Sequence, residues 1–156
     1  MSASVSSEVT YYNSLYRHGV DDKRRLQIPA KWRPSVEQPG FAFTLVLWPC
    51  GTTQGACLLV LPPDEWVTLV QKVKELSFSD PKAETLRRNL GKNSDRVTLD
   101  KAGRICLPEH MAKAAAIESE AVLLGLLDRF QIWNPARYEA ASAVDEQMSN
   151  EAFRLI

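Results

Sequence analysis

One pattern occurs twice in this chain, first as Val20-Asp21-Asp22-Lys23-Arg24-Arg25-Leu26-Gln27-Ile28-Pro29 and again as Leu99-Asp100-Lys101-Ala102-Gly103-Arg104-Ile105-Cys106-Leu107-Pro108. Both copies read apolar, Asp, three residues, Arg, apolar, any residue, aliphatic, Pro. Alternating apolar and polar positions around a short polar loop mark a β-hairpin rather than a helix. Such a motif repeated in one chain points to two copies of one small structural unit.

The surrounding sequence repeats in the same order. Each copy is followed by a proline-started short helix (Pro29 to Arg33, and Pro108 to about Ala116), then by a pair of strands, then by a second helix whose opening holds a proline. The strands are Phe41 to Trp48 with Ala56 to Leu61, joined by a turn over Pro49 to Gly55, and Ala121 to Leu126 with Phe130 to Trp133, joined at Asp128-Arg129. Pro29 corresponds to Pro108, Trp32 to Met111 and Pro63 to Pro135. Proline has no N–H to give to a central ladder but suits a first helical turn. The helix opened by Pro63, Asp64 and Glu65 carries Trp66, Val67, Leu69, Val70, Val73 and Leu76 on one face. A further helix starts at Asp80-Pro81, with Ala83, Leu86 and Leu90 inward, Arg87 and Arg88 outward, and Gly91 placed to end it. Neither half has enough strand to bury a sheet alone. The expected fold is therefore α+β and mainly β, two pseudo-symmetric repeats interlocked in one small barrel with flanking helices. Residues 1–11 read as a flexible tail, 12–66 as the first repeat, 67–93 as a helical connector, 94–140 as the second repeat and 141–156 as a C-terminal helix or tail.

A chain of 156 residues can bury a real core, and 45% hydrophobic with 24% charged residues is the composition of a soluble globular protein. No apolar run reaches membrane-spanning length, and the polar start Met1 to Glu8 is not a signal peptide, so the expected location is the cytoplasm. Formal net charge is zero. Its distribution is not even: 17–33 and 82–104 each carry a net +4, whereas 105–156 carries a net −4. Both basic blocks contain the repeated motif, and a local basic face can bind an anion on a neutral chain.

In the motif, an aspartate opening a tight turn accepts backbone N–H groups and fixes the loop, and Gly103 stands where a hairpin loop often needs a positive φ. Asp21, Asp100 and Gly103 are thus the loop-shaping residues. Arg25 and Arg104 follow the turn directly, and arginine suits bidentate recognition of phosphate or of guanine. Lys23, Arg24 and Lys101 complete the candidate contacts to DNA. The competing reading is a solvated turn whose Asp and Arg form only a local ion pair.

Catalytic and metal sites find no support. The nucleophile-elbow, phosphate-loop, dinucleotide and zinc-protease patterns are absent from the sequence. Cys50, Cys57 and Cys106 form no CxxC pair that would join His18 or His110 at a metal, and Cys57 and Cys106 lie in apolar strand patterns that suggest core positions. Phe130, Trp66, Trp133 and Tyr138 read as core. No enzyme, cofactor, membrane or small-molecule substrate is expected.

The segment Val20 to Arg33, the second motif, and Leu124-Gly125-Leu126-Leu127-Asp128-Arg129-Phe130-Gln131-Ile132-Trp133 together resemble the MraZ family, from about Tyr12 to Ala140 and in the family's order. The resemblance implies two SpoVT-AbrB-like swapped-hairpin repeats per chain and protomers assembled into a ring. It also implies a bacterial transcription regulator that binds direct repeats in double-stranded DNA upstream of the division and cell-wall gene cluster. The family's DNA contacts map onto Asp21, Lys23, Arg25, Asp100, Lys101 and Arg104. Arg24 departs from the family pattern, which usually has glycine there. Either Arg24 takes a positive φ at about 1 kcal/mol or the loop changes shape. Proteins of this fold also serve as antitoxins, which makes a protein-binding module the alternative.

Overall fold

The computed structural model describes residues 9–49 and 56–156. The turn expected over Pro49 to Gly55 lies outside these residues except for Pro49, and so does the expected N-terminal tail except for residues 9–11, of which Val9 and Tyr11 are exposed. The elements run β1 (Leu15–Gly19), β2 (Arg25–Gln27), a one-turn 3-10 helix (Ala30–Trp32), β3 (Ala42–Pro49), β4 (Ala56–Leu61), α1 (Pro63–Lys74), α2 (Pro81–Lys92), β5 (Ser94–Thr98), β6 (Arg104–Cys106), α3 (Glu109–Ala114), β7 (Glu120–Gly125), β8 (Phe130–Trp133) and α4 (Pro135–Phe153). The architecture is α+β, mostly sheet with four α-helices, as the repeated pattern indicates.

The arms of the two motifs do not pair along their length with their own neighbours. Val20 and Leu26 make one isolated bridge across the first tip, but β1 pairs with β7 of the second half, while β5 pairs with β3 of the first. The remaining arms, β2 and β6, pair with each other in a separate two-stranded ribbon. The halves are therefore interlocked, which is the exchange that the swapped-hairpin resemblance implies. A three-residue arm gains more by adding to a long ladder, or to its own counterpart over a shared core, than by closing a marginal two-stranded hairpin.

The other six strands form one antiparallel sheet in the order β1-β7-β8-β4-β3-β5. This order is a palindrome of the two halves about the β8–β4 pair. The sheet is open, with β1 and β5 at its edges, and does not close into a barrel, so it does not bear out the small barrel expected. The ribbon stands apart from the six-stranded sheet, packed on it through a core of Leu26, Ile28, Ile105 and Leu107 against Trp32, Phe43 and Phe130, all essentially inaccessible. Trp32 and Phe130 rings lie 4.7 Å apart, and Trp32 Nε1 donates to the Asn13 carbonyl at 3.0 Å, so the indole is both packed and satisfied.

Val46, Leu59 and Leu61 pack with Trp66, Leu69 and Leu90 of α1 and α2, and Cys57, Val122 and Trp133 pack with Tyr138 and Ala141 of α4. Phe130 and Trp133 are thus core, and Trp66 and Tyr138 border it. Several expectations for the helices change. Val67 is 62% exposed and Leu86 40% exposed, so neither belongs to the inward face. Arg87 is not simply outward: its Nη2 donates to the Leu76 and Val73 carbonyls, at 2.9 and 3.2 Å, and its guanidinium stacks 4.8 Å over Phe78. It adds a donor to carbonyls at the C-terminal end of α1, Val73 in its last turn and Leu76 just beyond it. Asp80 caps α2 by accepting from Lys82 N at 2.9 Å, as read from sequence, but Gly91 lies inside the last turn and Asn93 ends the helix. The boundaries expected after residues 66 and 140 fall within α1 and α4. Cys57 is buried, but Cys106 is exposed, because its strand neighbour Ile105 takes the inward side.

Candidate nucleic-acid interface

The two tips are built alike. In the first, one Asp21 oxygen accepts the backbone N–H groups of Lys23 and Arg25 at 3.0 and 2.8 Å, and the other accepts Arg25 Nε at 2.7 Å. In the second, Asp100 accepts the N–H groups of Ala102 and Arg104, each at 2.9 Å, and Arg104 Nε at 3.2 Å. Arg24 N donates to Asp21 O at 2.9 Å and Gly103 N to Asp100 O at 3.0 Å, closing equivalent turns. These bonds hold both carboxyls below the ordinary aspartate range, with the N–H of Arg25 and of Arg104 the largest cause in each case. Asp21, Asp100 and Gly103 therefore shape the loops, and Gly103 has φ 81°.

Arg24 has φ 61° and keeps the same loop shape as Gly103. The structure thus selects the strained backbone over an altered turn.

The ribbon decides where the tip arginines stand. Its register pairs Arg25 with Cys106, Leu26 with Ile105 and Gln27 with Arg104. Side chains alternate along each strand and agree across a pair. Leu26 and Ile105 face the core, so Arg25, Gln27, Arg104 and Cys106 share the opposite, outward face. Arg25 and Arg104 are diagonal neighbours on that face, about 7–8 Å apart at the backbone. Lys23 and Lys101 are exposed on the tips, although not in equivalent slots: Lys101 matches Asp22, and Lys23 matches Ala102.

The ion pairs of the competing reading do form, between Arg25 and Asp21 and between Arg104 and Asp100. Their side chains are 34–41% exposed, so solvent screens them and they add little stability. Both bonds use Nε, the inner edge of the guanidinium. The terminal guanidinium nitrogens take no part in these two bonds to aspartate.

Each tip is also clasped by the other half. Ile28 N donates to Gly103 O and Leu107 N to Arg24 O, both at 2.8 Å. Gln27 Nε2 donates to Ala102 O at 2.9 Å, and at the matching position Cys106 Sγ lies 3.3 Å from Lys23 O. Sequence reading missed this role of Gln27 and Cys106, whose only signal is the outward phase of the alternation. Among the described residues, no group of three or more His, Cys, Asp or Glu could hold a metal ion, and no helix is long and apolar enough to cross a membrane.

Comparison with known proteins agrees with the doubled architecture. A family model described as "MraZ protein, putative antitoxin-like" matches residues 14–89 and 92–154. The chain is 35% identical over 127 residues to the transcriptional regulator MraZ of Thermomicrobium roseum, covering 80% of this chain and 82% of that protein. It is 32% identical over 136 residues to the protein of the same name from Syntrophobacter fumaroxidans, covering 87% of each. It is also 32% identical over 141 residues to that of Roseiflexus sp., covering 90% of this chain and 93% of that protein.

Proposed function

The chain belongs to the MraZ family, whose members are named transcriptional regulators, and from that premise we propose that it regulates transcription by reading double-stranded DNA with the outer face of the β2–β6 ribbon. The observation that carries this reading is the placement of Arg25 and Arg104, each bonded through Nε to an aspartate, on one outward face between two exposed lysines. A two-stranded ribbon fits the major groove, where arginine pairs bidentately with guanine O6 and N7. Lys23 and Lys101 contact phosphates as point charges.

One ribbon carries few contacts and binds weakly. Protomers assembled in a ring present several ribbons at fixed spacing, and DNA with direct repeats at matching intervals engages them through effective concentration. The target is the promoter region upstream of the division and cell-wall gene cluster, and the protein works in the cytoplasm on the nucleoid. No cofactor or small molecule takes part.

Footprinting of the purified protein on the region upstream of its own gene tests the reading. Evenly spaced protected repeats are expected, and shifting one repeat by half a helical turn weakens binding. Absence of sequence-specific protection, together with a small protein co-purifying in stoichiometric amount, favours the antitoxin-like binding module instead.

A further inference from the structure

We infer that Arg24 is a positioning residue, which clasps the first tip to the opposite half rather than contacting DNA, and that Arg33 is its functional counterpart at the second tip. The inference rests on the DNA-reading role proposed for the tips and assigns to Arg24 the one basic side chain there that the pseudo-symmetry turns inward.

The two tips have different residues at this point, Arg24 in one and Gly103 in the other, with φ 61° and 81°. With such similar backbones, a Cβ leaves both positions in equivalent directions. At Gly103 that direction is already filled: a Cβ there would collide with Nη1, Cζ and Cδ of Arg33. Arg33 Nε is buried and makes no hydrogen bond, so Arg33 backs this tip by packing rather than by a bond to it. The position that matches Arg33 in the second half is Ala112, which lies inside α3 where Arg33 is extended beyond the 3-10 helix, and it is only 4% exposed and too short to reach the first tip. The missing guanidinium is supplied there by Arg24 itself, whose Nε donates to Leu107 O at 2.9 Å. Leu107 N in turn donates to Arg24 O at 2.8 Å, so the two residues are joined in both directions. Each tip is thus backed by one guanidinium, taken from the loop in the first half (Arg24 with Ala112) and from behind the 3-10 helix in the second (Arg33 with Gly103).

Both guanidiniums can be tested in the full-length protein. Arg24→Gly suits a positive φ and folds. It lowers affinity for promoter DNA about two- to tenfold, the worth of one hydrogen bond, and leaves the slope of log affinity against log salt unchanged. In the absence of DNA it speeds amide hydrogen exchange at Leu107. Arg33→Ala, which empties the space behind Gly103, speeds exchange at Ile28, whose N–H bonds Gly103 O, and unaltered exchange there overturns the assignment of Arg33. A slope flattened by about 0.9, the signature of one lost phosphate contact, overturns the inference, and so does unaltered exchange at Leu107. Because exchange is read without DNA, the clasp is decided even if Arg25→Ala with Arg104→Ala leaves DNA binding intact, a result that defeats only the DNA-reading role.

Discussion

Leu26 and Ile105 are at once sequence counterparts and direct strand partners, facing each other across the ribbon with 0% and 1% of their surface exposed. Two equivalent residues can pair only where they lie on the axis that relates the halves. Leu59 and Gln131 satisfy the same condition in the large sheet, as the central pair of β4 with β8. The line through both pairs is the pseudo-twofold axis, and the tips stand symmetrically about it.

A shared position makes the two core residues energetically dependent. Leu26→Ala and Ile105→Ala are each expected to cost about 2–5 kcal/mol, from lost transfer energy and the cavity left behind. The double variant costs less than the sum, because the two cavities merge and the ribbon collapses once. Urea unfolding of the two single variants and the double variant measures the difference.

Arg25 and Arg104 are expected to act as equals. Either alanine variant lowers promoter affinity between roughly fivefold and a hundredfold and relaxes base preference at one position of each repeat. Lys23→Ala weakens binding to all sequences alike and flattens the salt slope by about 0.9. Anisotropy titrations over a range of salt, on native and scrambled repeats, separate the two behaviours.

Asp21→Ala and Asp100→Ala oppose charge against geometry. Each variant makes the tip more basic, so binding to scrambled DNA strengthens. Binding to the native repeats weakens, because the N–H groups and the guanidinium ordered by the carboxylate lose their acceptor. If specific and non-specific affinity rise together in parallel titrations, the ordering role fails.

The pH response follows from the same carboxylates. Their pKa values are lowered in the folded tips, so the stabilising contribution is complete above the ordinary aspartate value near 4 and is lost as pH falls through the lower folded values. Tip geometry is therefore expected to be insensitive to these two groups between about pH 5 and 8 and to loosen only in stronger acid. Amide chemical shifts of Lys23, Arg25, Ala102 and Arg104 followed on acidification report the transition.

Gly125 is constrained by close approach rather than by its backbone angle. A Cβ there would collide with the carbonyl oxygen and carbon of Tyr12 and with Asn13 N. Gly125→Ala is expected to destabilise by about 1–3 kcal/mol, since it must push back the backbone that leads into β1. The fall in Tm on thermal unfolding measures it.

Local chemistry was legible in the sequence. The Asx turns at Asp21 and Asp100, the proline-led helix starts at Pro63, Pro81 and Pro135, the Asp80 cap and the alternating strands all depend on residues within a few positions of one another. The doubled organisation and the basic tips follow from the same local repetition. The inward face given to Val67 and Leu86 and the core position given to Cys106 did not hold, and the small barrel is not borne out by a sheet that stays open, because each depends on which element packs alongside.

The sequence by itself determined two like hairpin tips, each with an aspartate to shape it and an arginine behind the turn, because turn hydrogen bonds span two to four residues and carry their own signature. Only the tertiary structure decided that the arms exchange between halves, that Arg25 and Arg104 come to stand on one outward face, and that Arg24 reaches Leu107 while Arg33 covers Gly103. Those outcomes rest on contacts between residues 48 to 109 positions apart. Period-2 alternation states which side of a strand is apolar and is silent about which strand lies next to it.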